Sequence, residues 1–211
     1  MGTGYQMLRR MLNLTCHVLI GIHLYMLCWY SIDSSAKGWY KAHTVLCGAA
    51  IAFCCAEGLL MFCPANYTRI LSERSHRILH IIWFLVASIM LLVGVILPFT
   101  EDAKLKGAHA FLGLTCLILI IISTIVGLMM LASSFRDRKS IRLVHSIIGI
   151  IGYILGIITL CHIYIKLCDG HIKLSNICGH DWQMVVMLVA IGVISLIAPV
   201  EILIGRGGDF D

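Results

Sequence analysis

The chain has 211 residues, 60% hydrophobic and only 13% charged, with a formal net charge of +5 and a mean hydropathy of +0.95. Soluble domains are nearer half apolar and about a quarter charged, so the composition excludes an ordinary soluble domain and indicates an integral membrane protein. Three prolines and no low-complexity tract leave no room for a long linker, and a single domain over 1–211 is expected, almost all of it within a bilayer.

Six stretches approach the roughly 20 apolar residues that a crossing helix needs. The first, 11–31, is too long for a signal-peptide core and has no clear cleavage site, so it reads as an uncleaved signal anchor. The others follow at 42–63, 77–98, 109–132, 141–165 and 182–204, separated by polar loops such as DSSAKG, TEDAKLKG and FRDRKS. Backbone polar groups in lipid must be satisfied within the segment, and short hinges make successive helices antiparallel. The expected fold is therefore an all-α membrane protein of six transmembrane helices with helices two to five as a central four-helix bundle.

Loop charge sets the orientation, because cytoplasmic loops carry the excess of Lys and Arg. One side holds Arg9, Arg10, Arg69, Arg74, Arg77, Arg136, Arg138, Lys139, Arg142 and Arg206; the other holds Lys37, Lys41, Lys104, Lys106, Lys166 and Lys173. Both termini are expected in the cytoplasm of a multi-pass protein of the endomembrane system (ER or vesicle) or the plasma membrane. Most cysteines, among them Cys47, Cys54, Cys55 and Cys116, fall inside spans and read as small apolar side chains. Only Cys168 and Cys178 share a loop on the non-cytoplasmic side, where a disulfide and two loop thiols are both open readings.

The ten histidines carry the chemistry. Ionisable residues inside a membrane are costly and tend to be functional. His43, His80, His109 and His145 stand near the N-terminal ends of spans two to five, with 37 residues between the first two and 36 between the last two. The chain thus reads as two helical hairpins, each with a histidine at the same point of each arm. Antiparallel packing pairs His43 with His109 near the outer face and His80 with His145 near the cytoplasmic face. At about 1.5 Å per residue the two levels lie roughly 20 Å apart. His76, one turn before His80, competes with it for the same role.

Gly113 and Gly149 follow His109 and His145 by four residues, and Gly48 follows His43 by five. A glycine on the histidine's face lets a planar ring lie close to the backbone; the alternative is helix packing, as in the small-residue spacing of Gly152 and Gly156. Zinc wants four ligands in one tetrahedron, which two pairs at opposite faces do not supply. Two imidazoles filling both axial positions of an iron suit haem b and electron transfer, so two haem b per chain are expected. The runner-up is a metal or proton transporter using intramembrane histidines without haem; it needs a polar path, whereas the middles of spans three to five are almost wholly apolar. No glycine-rich dinucleotide fingerprint appears, and nothing suggests nucleic acid as a partner.

The histidine pattern, the segment HSIIGIIGYILG at 145–156, WYKAHTVL at 39–46 and AEGLLMFCP at 56–64 together resemble the cytochrome b561 family, most closely its small stand-alone transmembrane reductases. Thr44 replaces a proline that the subgroup has after the histidine. The resemblance covers about 40–165 as a haem-binding core, with looser likeness in the flanking helices 11–31 and 182–204. It implies an ascorbate-dependent transmembrane oxidoreductase of the monodehydroascorbate reductase or ferric reductase type. Single electrons would pass from cytoplasmic ascorbate through the inner and then the outer haem to monodehydroascorbate or ferric iron. It also implies a homodimer, selects His80 over His76 as ligand, and leaves His76 a haem-edge role.

For cytoplasmic ascorbate, the family's basic positions correspond to Arg77 and Arg138, with Arg74 and Arg142 beside them; a second basic position is Glu73 here. Lys104, Lys106 and Lys41 are candidates for the outer acceptor site. His162, His171 and His180 lie near that surface, solvated or metal-binding. Glu57 is expected near the inner end of span two on the face of His43, in an ion pair or a proton relay. His17 and His23 stand outside the repeat without an assigned role.

Overall fold

The computed structural model describes residues 3–33, 36–63, 66, 71–100, 107–131, 138–168 and 181–204. In chain order they form α1 (Thr3–Asp33), α2 (Gly38–Ala49), a π-helical turn (Ala50–Cys55), α3 (Ala56–Leu60), α4 (Glu73–Thr100), α5 (Ala108–Met129), α6 (Lys139–Cys168) and α7 (Asp181–Leu203). α2, the π turn and α3 run on as one apolar span, so six helices are long and apolar enough to cross a membrane. Among the described residues there is no strand. The all-α, six-span expectation holds.

The second span is the hub. Two-thirds of it (67%) is buried, against a third or less of every other span, and it packs on α1, α4, α6 and α7. Its composition explains why: Gly48, Ala49, Ala50, Ala52, Cys54, Cys55, Ala56 and Gly58 are all small, and small residues let neighbouring backbones approach in lipid, where no hydrophobic effect drives helices together. α5 packs on α4 and α6, and α1 closes against α7. Large side chains such as Ile89, Ile118, Ile125, Ile151, Val186 and Val193 face outward, where a bilayer solvates them.

Polar contacts fasten α1 at both ends, which is why it runs well beyond the apolar stretch 11–31. Near its start Arg9 pairs with Glu201 of α7, and Tyr5 Oη donates to Glu201 at 2.7 Å. Near its end Ser31 Oγ donates to the Lys41 carbonyl and Lys41 Nζ to the Ile32 carbonyl, each at 3.3 Å. Lys41 is thereby engaged at the C-terminal end of α1, where a cation complements the helix dipole. Farther inside, Tyr153 Oη and Ser195 Oγ lie 2.9 Å apart and join α6 to α7. The contacts of α1 with Glu201 and Glu57 place the start of α1, the ends of α3 and α7 and the starts of α4 and α6 at one end of the bundle.

Gly152 and Gly156 are packing glycines, as their spacing suggested. A Cβ at Gly156 would lie 2.7 Å from Ile51 Cδ1, and one at Gly152 3.1 Å from Leu119 Cβ. A Cβ at Gly21 meets nothing within 4 Å. Gly156→Leu should therefore overpack the hub and cost about 1–3 kcal/mol, read as a lower melting temperature in detergent, while Gly21→Ala leaves the melt unchanged.

Candidate functional site

Each of the four repeat histidines lies within the first turns of its helix, and the local sequence sets its depth. α4 starts where Ser72 Oγ accepts the Ser75 N–H at 3.2 Å, an N-cap that satisfies one of the helix's free amides and leaves His80 two turns inside. His109 stands two residues after the N-cap Gly107, whose φ of 86° favours glycine. The structure brings His43 against His109, with ring centroids 6.2 Å apart and planes at 79°, and His80 against His145 with the same separation and angle. His76 lies one turn nearer the start of α4 and joins neither pair; His80 is flanked by Phe62 and Phe84, each at 4.7 Å.

All four imidazoles are held in the same way. Nδ1 of each meets a main-chain carbonyl on the neighbouring arm of its own hairpin: His43 to Gly94 at 2.8 Å, His80 to Gly58 at 2.9 Å, His109 to Thr159 at 3.4 Å and His145 to Ser123 at 3.0 Å. A carbonyl can only accept, so Nδ1 carries the proton and the unprotonated Nε2 is left for the space between the rings. Two of these carbonyls are freed by the local sequence. Gly94 would bond the amide four residues on, but that residue is Pro98, which has none. At the end of α3 the Met61 and Phe62 amides go to Glu57 and Leu59 and bypass Gly58.

The carbonyls obey a count. Ser123 lies fourteen residues after His109, Thr159 fourteen after His145, and Gly94 fourteen after His80, but Gly58 lies fifteen after His43. From Gly58 to His80 and from Ser123 to His145 the separation is 22 in both hairpins. The one residue by which the intervals 37 and 36 differ thus falls within the second span, where the π turn absorbs an extra residue into a single turn. The same turn rotates α3 relative to α2. Glu57, expected on the face of His43, instead faces α1, where its Oε1 meets His17 Nδ1 at 2.7 Å. Its partner is a histidine rather than an arginine.

Of the glycines after the histidines, Gly48 and Gly149 face other helices at close packing distance, which corrects the expectation that they open onto a flat ring, whereas Gly113 has room for a side chain. A Cβ at Gly48 would meet Leu27 Cδ2 at 2.6 Å, one at Gly149 Ser123 Oγ at 2.9 Å, and one at Gly113 Thr159 Cγ2 at 3.7 Å. A glycine that does border an imidazole is Gly127, where a Cβ would lie 3.0 Å from His145 Cε1. It lines a cavity with His80, Ile81, Phe84, Ser123, Thr124 and His145. Its place on α5 opposite His145 is a tertiary relation that no sequence period discloses.

Arg74, Arg77, Arg138 and Arg142 are exposed at the His80–His145 end. Glu73 lies 3.6 Å from Arg77, an exposed pair of little weight for stability. At the other end, Lys41 is tied to α1, while Lys104 and Lys106 lie outside the described residues. So do His171, His180 and Cys178, which leaves the Cys168–Cys178 pairing outside them too. His162, expected at the surface with those two histidines, has a buried Nε2 with no hydrogen-bond partner among the described residues.

The donor set fits a haem. A metal–imidazole bond of about 2.0 Å, with about 1.1 Å from each ring centre to its Nε2, puts the centres of two imidazoles on one metal about 6 Å apart. Among the described residues no three or more His, Cys, Asp or Glu side chains gather to hold a bare ion. A porphyrin brings four nitrogens of its own and asks only for two axial ligands.

These features define a membrane-spanning helical bundle with one imidazole pair toward each end. A family model described as eukaryotic cytochrome b561 matches residues 42–168, more than half the chain, and the chain belongs to that family. It is accordingly a haem b protein of transmembrane electron transfer, an oxidoreductase. No curated protein matches it.

Ser123 Oγ lies 3.3 Å from both His145 Nδ1 and the His145 carbonyl, a contact that Gly58 at the equivalent point of the other hairpin lacks. Ser123→Gly should cost about 1 kcal/mol of stability and leave haem bound. It should also shift the low-spin haem g values in electron paramagnetic resonance, because the hydroxyl no longer steers the His145 ring.

Proposed function

We propose that the chain binds two haems b, one between His43 and His109 and one between His80 and His145. It would carry single electrons from cytoplasmic ascorbate to monodehydroascorbate or ferric iron on the opposite side, as the stand-alone reductases of the family do. The observation that carries this reading is the matched geometry of the two histidine pairs, 6.2 Å and 79° at each. When bound, haem supplies one-electron exchange between ferric and ferrous iron.

The residues divide the work by position. His43 and His109 would hold one haem and His80 and His145 the other, two imidazoles at each level, an arrangement suited to electron transfer. Their Nδ1–H···O=C bonds hold ring orientation and raise the basicity of Nε2. The apolar side chains between the levels, such as Phe84, Leu91, Leu117 and Ile120, exclude water and ions, so electrons alone cross. Arg77 and Arg138, with Arg74 and Arg142, stand exposed at the His80–His145 end, which the loop charges would place in the cytoplasm. The N-termini of α4 and α6 add positive field there, and both would draw an ascorbate anion. Lys104 and Lys106 would serve the acceptor at the far side, and the active form would be a homodimer.

A visible reduced-minus-oxidised spectrum of the purified protein tests the donor. A haem b band equivalent to two haems per chain, developed by ascorbate as fully as by dithionite, is expected; reduction by dithionite alone would remove ascorbate as donor. His109→Leu and His145→Leu should each delete one haem, and retention of both would discard the ligand assignment. Arg77→Gln and Arg138→Gln should each raise the KM for ascorbate by about tenfold, the scale of one lost charge-assisted contact.

A further inference from the structure

α1 lies outside the segment that the family match covers, yet it carries a polar stripe into the bundle. Tyr5, Arg9, Asn13 and His17 recur every fourth residue, one above another on a helix face. The stripe begins at the end of the bundle that holds the His80–His145 pair. Tyr5 is 40% exposed there, and Arg9 pairs with Glu201. Deeper in, Asn13 is 5% exposed, and its Oδ1 is buried without a hydrogen-bond partner among the described residues. The stripe ends at His17, whose Nδ1 meets the carboxylate of Glu57, itself 6% exposed. The next two steps of the same spacing, Gly21 and Tyr25, face out of the bundle. Inward positions beyond the stripe are Ile20, Leu27 and His23, the last edge-on to Tyr164.

A polar path that enters from one end and stops at a buried acid–base pair conducts nothing across the membrane. The pair adjoins the redox centre through one peptide unit, because Glu57 precedes Gly58, whose carbonyl accepts the His80 Nδ1–H. The π turn makes both contacts possible, since it turns α3 so that Glu57 meets α1 while the Gly58 carbonyl meets α4.

We infer that His17 and Glu57 form a proton-binding site, fed by the Tyr5–Arg9–Asn13 stripe, that takes up one proton when the His80–His145 centre gains an electron. The inference rests on haem at that centre. An added negative charge in a medium of low dielectric is costly, and a proton drawn to the adjacent pair offsets it. When the electron leaves, the proton returns by the way it came, so no proton crosses the membrane. The titratable neighbours of Glu57 are Cys16 on α1 and Cys54 on its own span, with Cys63 beside Cys16 and the pair of Arg9 with Glu201 of α7 farther out. α4 presents Trp83 and Phe84 to the adjacent Gly58.

Potentiometric titration of the haem-loaded protein at several pH values tests this. One of two centres should have a potential that falls as pH rises, by up to about 59 mV for each tenfold drop in proton concentration at full one-proton coupling. The other centre should stay level. Glu57→Gln, which can still hydrogen-bond His17, should flatten the slope and keep both haems. A level potential at both centres of the native protein, or an unchanged slope in Glu57→Gln, would overturn the inference while leaving the two-haem reading intact. Absence of haem would instead remove that reading. If Glu57→Gln fails to load haem, His17→Gln, which removes the other titratable partner of the pair, decides by the same titration. A flattened slope supports the site, and an unchanged slope refutes it.

Discussion

Everything chemical in this protein depends on four hydrogen bonds from imidazole Nδ1–H groups to main-chain carbonyls of a neighbouring helix. A free imidazole rotates about two torsions and exchanges its proton between two nitrogens. One bond to a fixed carbonyl removes both freedoms, leaving Nε2 as the nitrogen that meets a metal. The carbonyls themselves must be available inside helices whose backbone is normally saturated. A proline without an amide frees Gly94, and the end of α3 frees Gly58. Helix-breaking chemistry in the membrane is here a source of acceptors, compensated by side chains of adjacent helices.

The same bonds join the two arms of each hairpin, so a hairpin is the structural unit and two of them face each other to complete each imidazole pair. Within a unit the bonding is reciprocal: His80 takes a carbonyl of the arm that carries His43, and His43 takes one of the arm that carries His80. The units differ by one residue, accommodated in the π turn of the second span. That turn lies in the most buried helix, where a change of phase redirects everything downstream. It aims Gly58 at His80 and Glu57 at His17.

The two ends of the bundle are alike in ring geometry and unlike in surroundings. The His80–His145 end has exposed arginines, the starts of α4 and α6, a hydroxyl on His145 and a buried acid–base pair one peptide from His80. The His43–His109 end has Cys47 Sγ at 3.7 Å from His43 Nδ1, Lys41 drawn to α1 and the buried Nε2 of His162. Under the proposed two-haem reading, like ligands in unlike surroundings would give the two cofactors different potentials, a difference that the symmetric hairpins alone would not supply.

Six spans, their antiparallel order and the near-equal histidine intervals were legible in the sequence, because each is a linear property: apolar length, loop shortness and repeat period. Which side chains turn toward which was not. His43 and Glu57 stand close to an integral number of α-helical turns apart and read as one face, until the π turn shifts the phase. Gly48 and Gly149 stand beside histidines in the sequence, but their missing side chains make room for Leu27 and Ser123 on other helices. Gly127, far from His145 in sequence, is the glycine that borders its ring. By itself the sequence determined the membrane fold and the repeat of four histidines, since hydropathy and periodicity are summed along a chain. Only the tertiary structure decided the proton on each imidazole, the glycine beside His145 and the partner of Glu57, because those depend on helix phase and on contacts between residues far apart in the chain.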